Sequence, residues 1–255
     1  RIPVLCQKGF KGKIIATEAT AALCGIMLPD SGHIQEMDAE WANRKAMRAG
    51  KELVEPLYTA DYAAQCMKYF EGVRYDNTIE LSDNISVCLR DAWHMLGSAI
   101  IEMQVKDENM KIVFSGDLGN KNQPIINDPT YIKDADRLFI ESTYGDRLHS
   151  SIGDSLGYLL KIIDETFERG GNVVIPSFAV GRTQEIIYEL NIMVEKGMLK
   201  GIFKMPVYID SPLASAATQV FRKYRDGYFD KDAMALIMSG DDPLEFKGLH
   251  FTGGA

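Results

Sequence analysis

The order of apolar and polar positions divides the chain into stretches of different period. In the first seventy or so residues the repeat is mostly helical. Residues 13–16 read as a short strand, and 17–28 as a helix with Ala and Leu on its inner face. Pro29-Asp30-Ser31-Gly32 predicts a break, and 38–50 a second amphipathic helix ended by Gly50. His33 then falls in the loop between the two, where a solvated histidine is the plain reading. Residues 59–70 predict a third helix, with Tyr62, Cys66 and Phe70 on one stripe, as core packing requires. From 73 to 105 the period shortens towards two, the mark of antiparallel strands. Beyond His149 the pattern becomes helix (155–168), strand (173–175), helix (182–196), strand (206–209) and helix (213–225). Strand–helix alternation predicts a parallel sheet with helices packed on it, so the fold class is α/β.

Three chemically capable residues stand where predicted strands end. His94 lies between the runs 85–89 and 100–105, Asp117 closes the run that starts at Lys111, and Glu141 follows Arg137-Leu138-Phe139-Ile140. A polar residue where such a run meets a glycine turn points into the groove above a sheet edge. One imidazole and two carboxylates converging there suit a metal ion and a positioned water. Spacing alone leaves the alternative open: carboxylates at strand ends also cap turns, and a lone histidine also serves in packing. No short CxxC or HxH pair is present to decide.

The wording of the segments goes further. Asp91-Ala92-Trp93-His94-Met95-Leu96-Gly97-Ser98-Ala99, then Phe114-Ser115-Gly116-Asp117-Leu118-Gly119, then Glu141-Ser142-Thr143-Tyr144-Gly145-Asp146-Arg147 with His149 follow one another. Next come Ile175-Pro176-Ser177-Phe178-Ala179-Val180-Gly181-Arg182-Thr183-Gln184-Glu185 and Val207-Tyr208-Ile209-Asp210-Ser211-Pro212-Leu213-Ala214. In this order they resemble the β-CASP branch of the metallo-β-lactamase superfamily, which includes RNase J-type and polyadenylation-factor-type RNA nucleases. The resemblance implies a partial metallo-β-lactamase αββα sandwich over residues 1–148. The start of an inserted parallel-sheet β-CASP domain then occupies 149–255.

The resemblance also implies roles. His94 matches a histidine that ligates one of two zinc ions (manganese in some members), and Asp117 the aspartate that bridges both. Glu141 matches an acidic residue at the junction with the inserted domain, with an orienting role towards a histidine outside this chain. Asp91 and Ser115 are candidates for supporting the loops. Trp93 stands where the family usually has Gly; its indole either stacks on a base in the cleft or fills space left by a rearranged loop. Arg182 opens a helix, where it either contacts phosphate or pairs with a nearby carboxylate. The family's main motif, His-x-His-x-Asp-His, is absent. The chain is therefore expected to be a fragment, inactive by itself, with the later histidine motifs falling past Ala255; His250 is not one of them.

Composition narrows the classes. With 46% hydrophobic and 25% charged residues, the chain reads as an ordinary soluble globular protein. No apolar run is long enough to span a bilayer, so no membrane partner is expected. A net charge of −8 means that contact with single-stranded RNA must rely on a local basic strip or on metal ions. Cys6, Cys24, Cys66 and Cys88 are scattered singly, which suits reduced thiols in a cytoplasm. The expected function is metal-dependent hydrolysis of RNA phosphodiesters in processing or decay. The alternatives are a non-catalytic RNA-binding or scaffold relative, and a small-molecule hydrolase, which the inserted-domain motifs disfavour. Homo-oligomerisation is left open.

Overall fold

The computed structural model describes residues 1–121, 123–147, 152–198 and 206–252. Two compact units divide the chain, Arg1–Thr78 and Ile79–Ala255. The boundary expected at 148/149 falls on residues outside the described set.

In the first unit a short helix α1 (Ile2–Gln7) precedes strand β1 (Ile14–Thr17), helix α2 (Glu18–Arg48) and helix α3 (Ala60–Gln65). A 3-10 turn (Cys66–Tyr69) then leads into β2 (Phe70–Val73), which pairs parallel with β1, Ile14 opposite Phe70. The predicted helix at 59–70 therefore tightens after Gln65, and Phe70 belongs to a strand. The break predicted at Pro29 does not occur: α2 runs through it for 31 residues and carries His33 exposed on its surface. Proline removes one backbone donor and strains the preceding turn, and packing against the next segment outweighs that. Gly32 sits so close to the Thr59–Ala60 backbone that a Cβ there would lie 2.6 Å from the Ala60 Cα. Ser31 Oγ meets the Tyr58 hydroxyl at 2.9 Å, and Glu36 accepts the Ala60 N–H at 3.2 Å. The proline-glycine pair that looks like a turn is thus a docking notch.

The second unit is built on a five-stranded sheet ordered β3 (Thr78–Glu80), β4 (Ile85–Asp91), β5 (Ala99–Val105), β6 (Met110–Phe114), β7 (Arg137–Phe139). β4 and β5 pair antiparallel, Asp91 opposite Ala99; β5 and β6 pair antiparallel, Ile101 opposite Phe114. β6 and β7 pair parallel, Phe114 opposite Phe139. Ala92, Ile100 and Val113 form a buried cluster there, with Leu118 and Ile132 packed on it.

Helices α4 (Ile152–Glu168), α5 (Arg182–Glu195), α6 (Pro212–Lys223) and α7 (Lys231–Met238) follow, with the parallel pair β8 (Val207–Asp210) and β9 (Leu249–Thr252). His250 lies on β9. The strand predicted at 173–175 is absent, and Val174 is 87% exposed. β-propensity supplies no partner, and this segment is set against no strand among the described residues. Helix α7 was not anticipated; Asp230 caps it by accepting the Ala233 N–H at 2.7 Å. Its neighbour Phe229 bridges to Ile126, and the Asp230 N–H bonds Ile125 O at 2.7 Å, tying the helical region to the loop after β6.

Candidate active site

Strand direction assembles the site. Because β5 is antiparallel to both neighbours and β7 is parallel to β6, strands β4, β6 and β7 all run the same way. Their C-terminal ends therefore lie along one sheet edge, and His94, Asp117 and Glu141 follow those three ends.

The His94 loop is held from several sides. Ser98 Oγ accepts the His94 N–H at 3.1 Å and the Met95 N–H at 3.2 Å. Asp91 Oδ1 accepts the Trp93 N–H at 3.0 Å, and the Ala92 carbonyl accepts the Gly119 N–H at 2.9 Å. This last bond ties the loop carrying His94 to the one carrying Asp117. Trp93 takes a left-handed φ of 57°, where an L-residue with a bulky side chain is strained. Its side chain is 7% exposed, leaving no open face for a base. The geometry thus goes against Trp93 as a substrate contact: packing of the indole offsets the backbone strain.

Glu141 and Asp117 are linked through their neighbours. Ser115 Oγ accepts the Glu141 N–H at 3.1 Å, while Glu141 Oε1 accepts the Leu118 N–H at 2.5 Å, next to Asp117. That bond is the main reason the Glu141 carboxyl is held below the usual carboxylate range; bonds from Thr143 and the field of His94 add to it. A carboxylate whose pKa is lowered by folding stabilises the native state above the ordinary value. It loses that contribution as pH falls through its own lower one. Glu141→Gln is accordingly expected to flatten the fall in stability on acidification below about pH 4.5. Urea melts over that range check it; an unchanged pH slope would contradict the reading.

Helix α5 brings a second carboxylate towards His94. Glu185 lines a small hollow with Met95, Leu96 and Gly181. Arg182 Nη1 lies 2.6 Å from Glu185 Oε2, so of its two readings the carboxylate pair is present. Burial nevertheless pushes the Glu185 carboxyl up, outweighing the opposing fields of Arg182 and His94. Gln184, fully buried, fixes the start of α5. Its Oε1 accepts the Gly181 N–H at 2.8 Å, and its Nε2 reaches Thr218 Oγ1 at 2.9 Å. Sequence reasoning passed over Ser98, Gln184 and Glu185. The Gly-Ser-Ala and Arg-Thr-Gln-Glu wording was the available signal.

The metal centre that the resemblance implies needs more ligands than these residues supply. Among the described residues, no group of three His, Cys, Asp or Glu is arranged to hold a metal. A complete centre does not fit them alone; His149 lies outside the described set.

Residues 183–254 match the Beta-Casp domain family. Ribonuclease TTHA0252 of Thermus thermophilus is 30% identical over 249 residues, covering 98% of this chain and 52% of the relative. Transcription termination factor FttA of Methanocaldococcus jannaschii is 30% identical, covering 95% and 36%. Endoribonuclease YSH1 of Eremothecium gossypii is 28% identical, covering 98% and 32%. The chain thus spans about half the length of the first of these relatives and about a third of the other two. Residues 183–254 thus carry a Beta-Casp domain, and the motif order, the α/β architecture and these likenesses support the β-CASP family, with a metallo-β-lactamase fold and a β-CASP insertion.

Proposed function

We propose that this chain is part of a metal-dependent hydrolase of RNA phosphodiester bonds. The observation that carries the reading is the shared edge of β4, β6 and β7. It sets His94, Asp117 and Glu141 in one row and joins the last two loops through the bond from Leu118 to Glu141. His94 and Asp117 supply metal ligands, and Glu141 orients a partner. An imidazole with carboxylates suits zinc, with manganese as the alternative; the bound ions would supply a hydroxide at neutral pH. Residues outside those described complete the set. The names of the relatives favour RNA as substrate and a catalyst over a scaffold.

We place the start of the inserted domain near 149, and the protein in a cytoplasm, where its four free thiols stay reduced. Among the described residues no helix is long and apolar enough to cross a membrane. In a protein spanning the relatives' full length, chelation is expected to abolish cleavage of labelled single-stranded RNA and added zinc to restore it. Undiminished cleavage after chelation would overturn the proposal, and RNA binding without cleavage would select the scaffold.

Arg182 is 63% exposed at its side chain, so its pair with Glu185 contributes little, within about 1 kcal/mol. Arg182→Ala is expected to weaken RNA binding and lower the salt slope by about one, with metal content and melting temperature kept. Filter binding across a salt series checks this. Unchanged affinity with a lower melting temperature would assign Arg182 to the domain junction alone.

A further inference from the structure

Helix α2 exposes an apolar stripe on a face that solvent would normally meet with polar side chains. Ile34, Met37 and Trp41 are 49%, 56% and 61% exposed, spaced to lie along one line of the helix. Within about 60° of that line, at 100° per residue, lie Asp38 on the N-terminal side of Trp41 and Arg44, Lys45 and Arg48 on the C-terminal side. All four are exposed. Part of the face is ordered already. The Lys45 ammonium sits 3.4 Å over the Trp41 ring, and Arg44 pairs with Glu40 at 3.6 Å. Side chains held in advance cost less to immobilise on docking.

A face with an apolar stripe and one acid, Asp38, on the N-terminal side of Trp41 and three bases on its C-terminal side is complementary to itself when turned end for end. We propose that this face of α2 docks a second copy of the chain, with the two α2 helices antiparallel across a two-fold axis at Trp41. Asp38 then faces Lys45 of the partner subunit, and the pair occurs twice by symmetry. Trp41 meets Trp41 of the partner subunit, while Ile34 and Met37 lie along the aliphatic stems of the opposing basic side chains. Parallel pairing would set base against base along the C-terminal turns, so the charge order selects the antiparallel arrangement. A single helix face buries less than the roughly 1,200–2,000 Å² of a standard interface. The dimer is accordingly weak, with a dissociation constant on the order of tens of micromolar.

Sedimentation equilibrium on the 255-residue chain, from about 1 to about 500 μM, tests the proposal. The mass should rise from one chain to two, and Trp41→Glu should stay monomeric throughout with an unchanged far-ultraviolet spectrum. Asp38→Lys and Lys45→Asp should each weaken association by at least about tenfold. The double variant, which restores opposite charges in the antiparallel register, should recover it. Phe178→Ser, on apolar surface elsewhere, should change nothing. A monomer at every concentration would overturn the proposal, as would loss with Phe178→Ser but not Trp41→Glu. So would failure of the double variant to recover.

Discussion

In a protein spanning the length of the relatives, Asp117→Ala is expected to cut hydrolysis of single-stranded RNA by at least about a hundredfold and to lower bound metal. The size follows from position. Changing a group that only orients a metal ligand typically costs about 10–100-fold, and loss of a direct ligand, the role proposed for Asp117, is expected to cost more. Asp117 is exposed just past β6, outside the buried cluster that holds the sheet, so its loss should leave the fold alone. Turnover, metal content and an unfolding curve on one preparation separate the effects. Undiminished turnover with a full metal complement would remove Asp117 from the site.

The second large effect is structural and acts on the same edge. A Cβ at Gly119 would stand 1.7 Å from the Trp93 carbonyl oxygen and 2.3 Å from its carbon. Both neighbours are backbone, and the Gly119 N–H is also bonded to Ala92 O at 2.9 Å. No rotamer change relieves such a clash; the loops carrying His94 and Asp117 must separate. Gly119→Ala is therefore expected to destabilise the chain by about 3 kcal/mol, the upper end for overpacking. A shift of the urea midpoint at unchanged slope measures it. A loss below about 1 kcal/mol would show that the loops are not locked together as described.

Periodicity found most elements because most bury one face. Thus α5, α6, β4, β5, β6 and β8 lie within a few residues of their expected places. It failed where a long-range contact decides. Pro29 and Gly32 form a local turn signal, and only the backbone at Ala60, 28 residues away, turns them into a helix notch. The apolar run at 173–175 carries the propensity of a strand and lacks the neighbour. At the site, the strand-end positions of His94, Asp117 and Glu141 were legible. The parallel sense of β6 and β7, which sets two of them side by side, was not, because the described residues between them form no helix, whose pattern would have marked a parallel crossover. The burial of Trp93 is set by loops from elsewhere in the sequence, and its place beside His94 alone suggested either role. Gln184 looked like one polar residue among several on a helix; its value lies in Thr218, 34 residues on.

As proposed, this chain carries part of a metal centre with His94 and Asp117 as ligands. Metal content of the dialysed 255-residue chain, measured with a labelled-RNA cleavage assay, tests it most directly. Less than one zinc per chain and no cleavage are expected, since the two ligands proposed among the described residues fall short of the three or four that hold zinc firmly. Two tightly held ions per chain, with metal-dependent cleavage that His94→Ala abolishes, would contradict it.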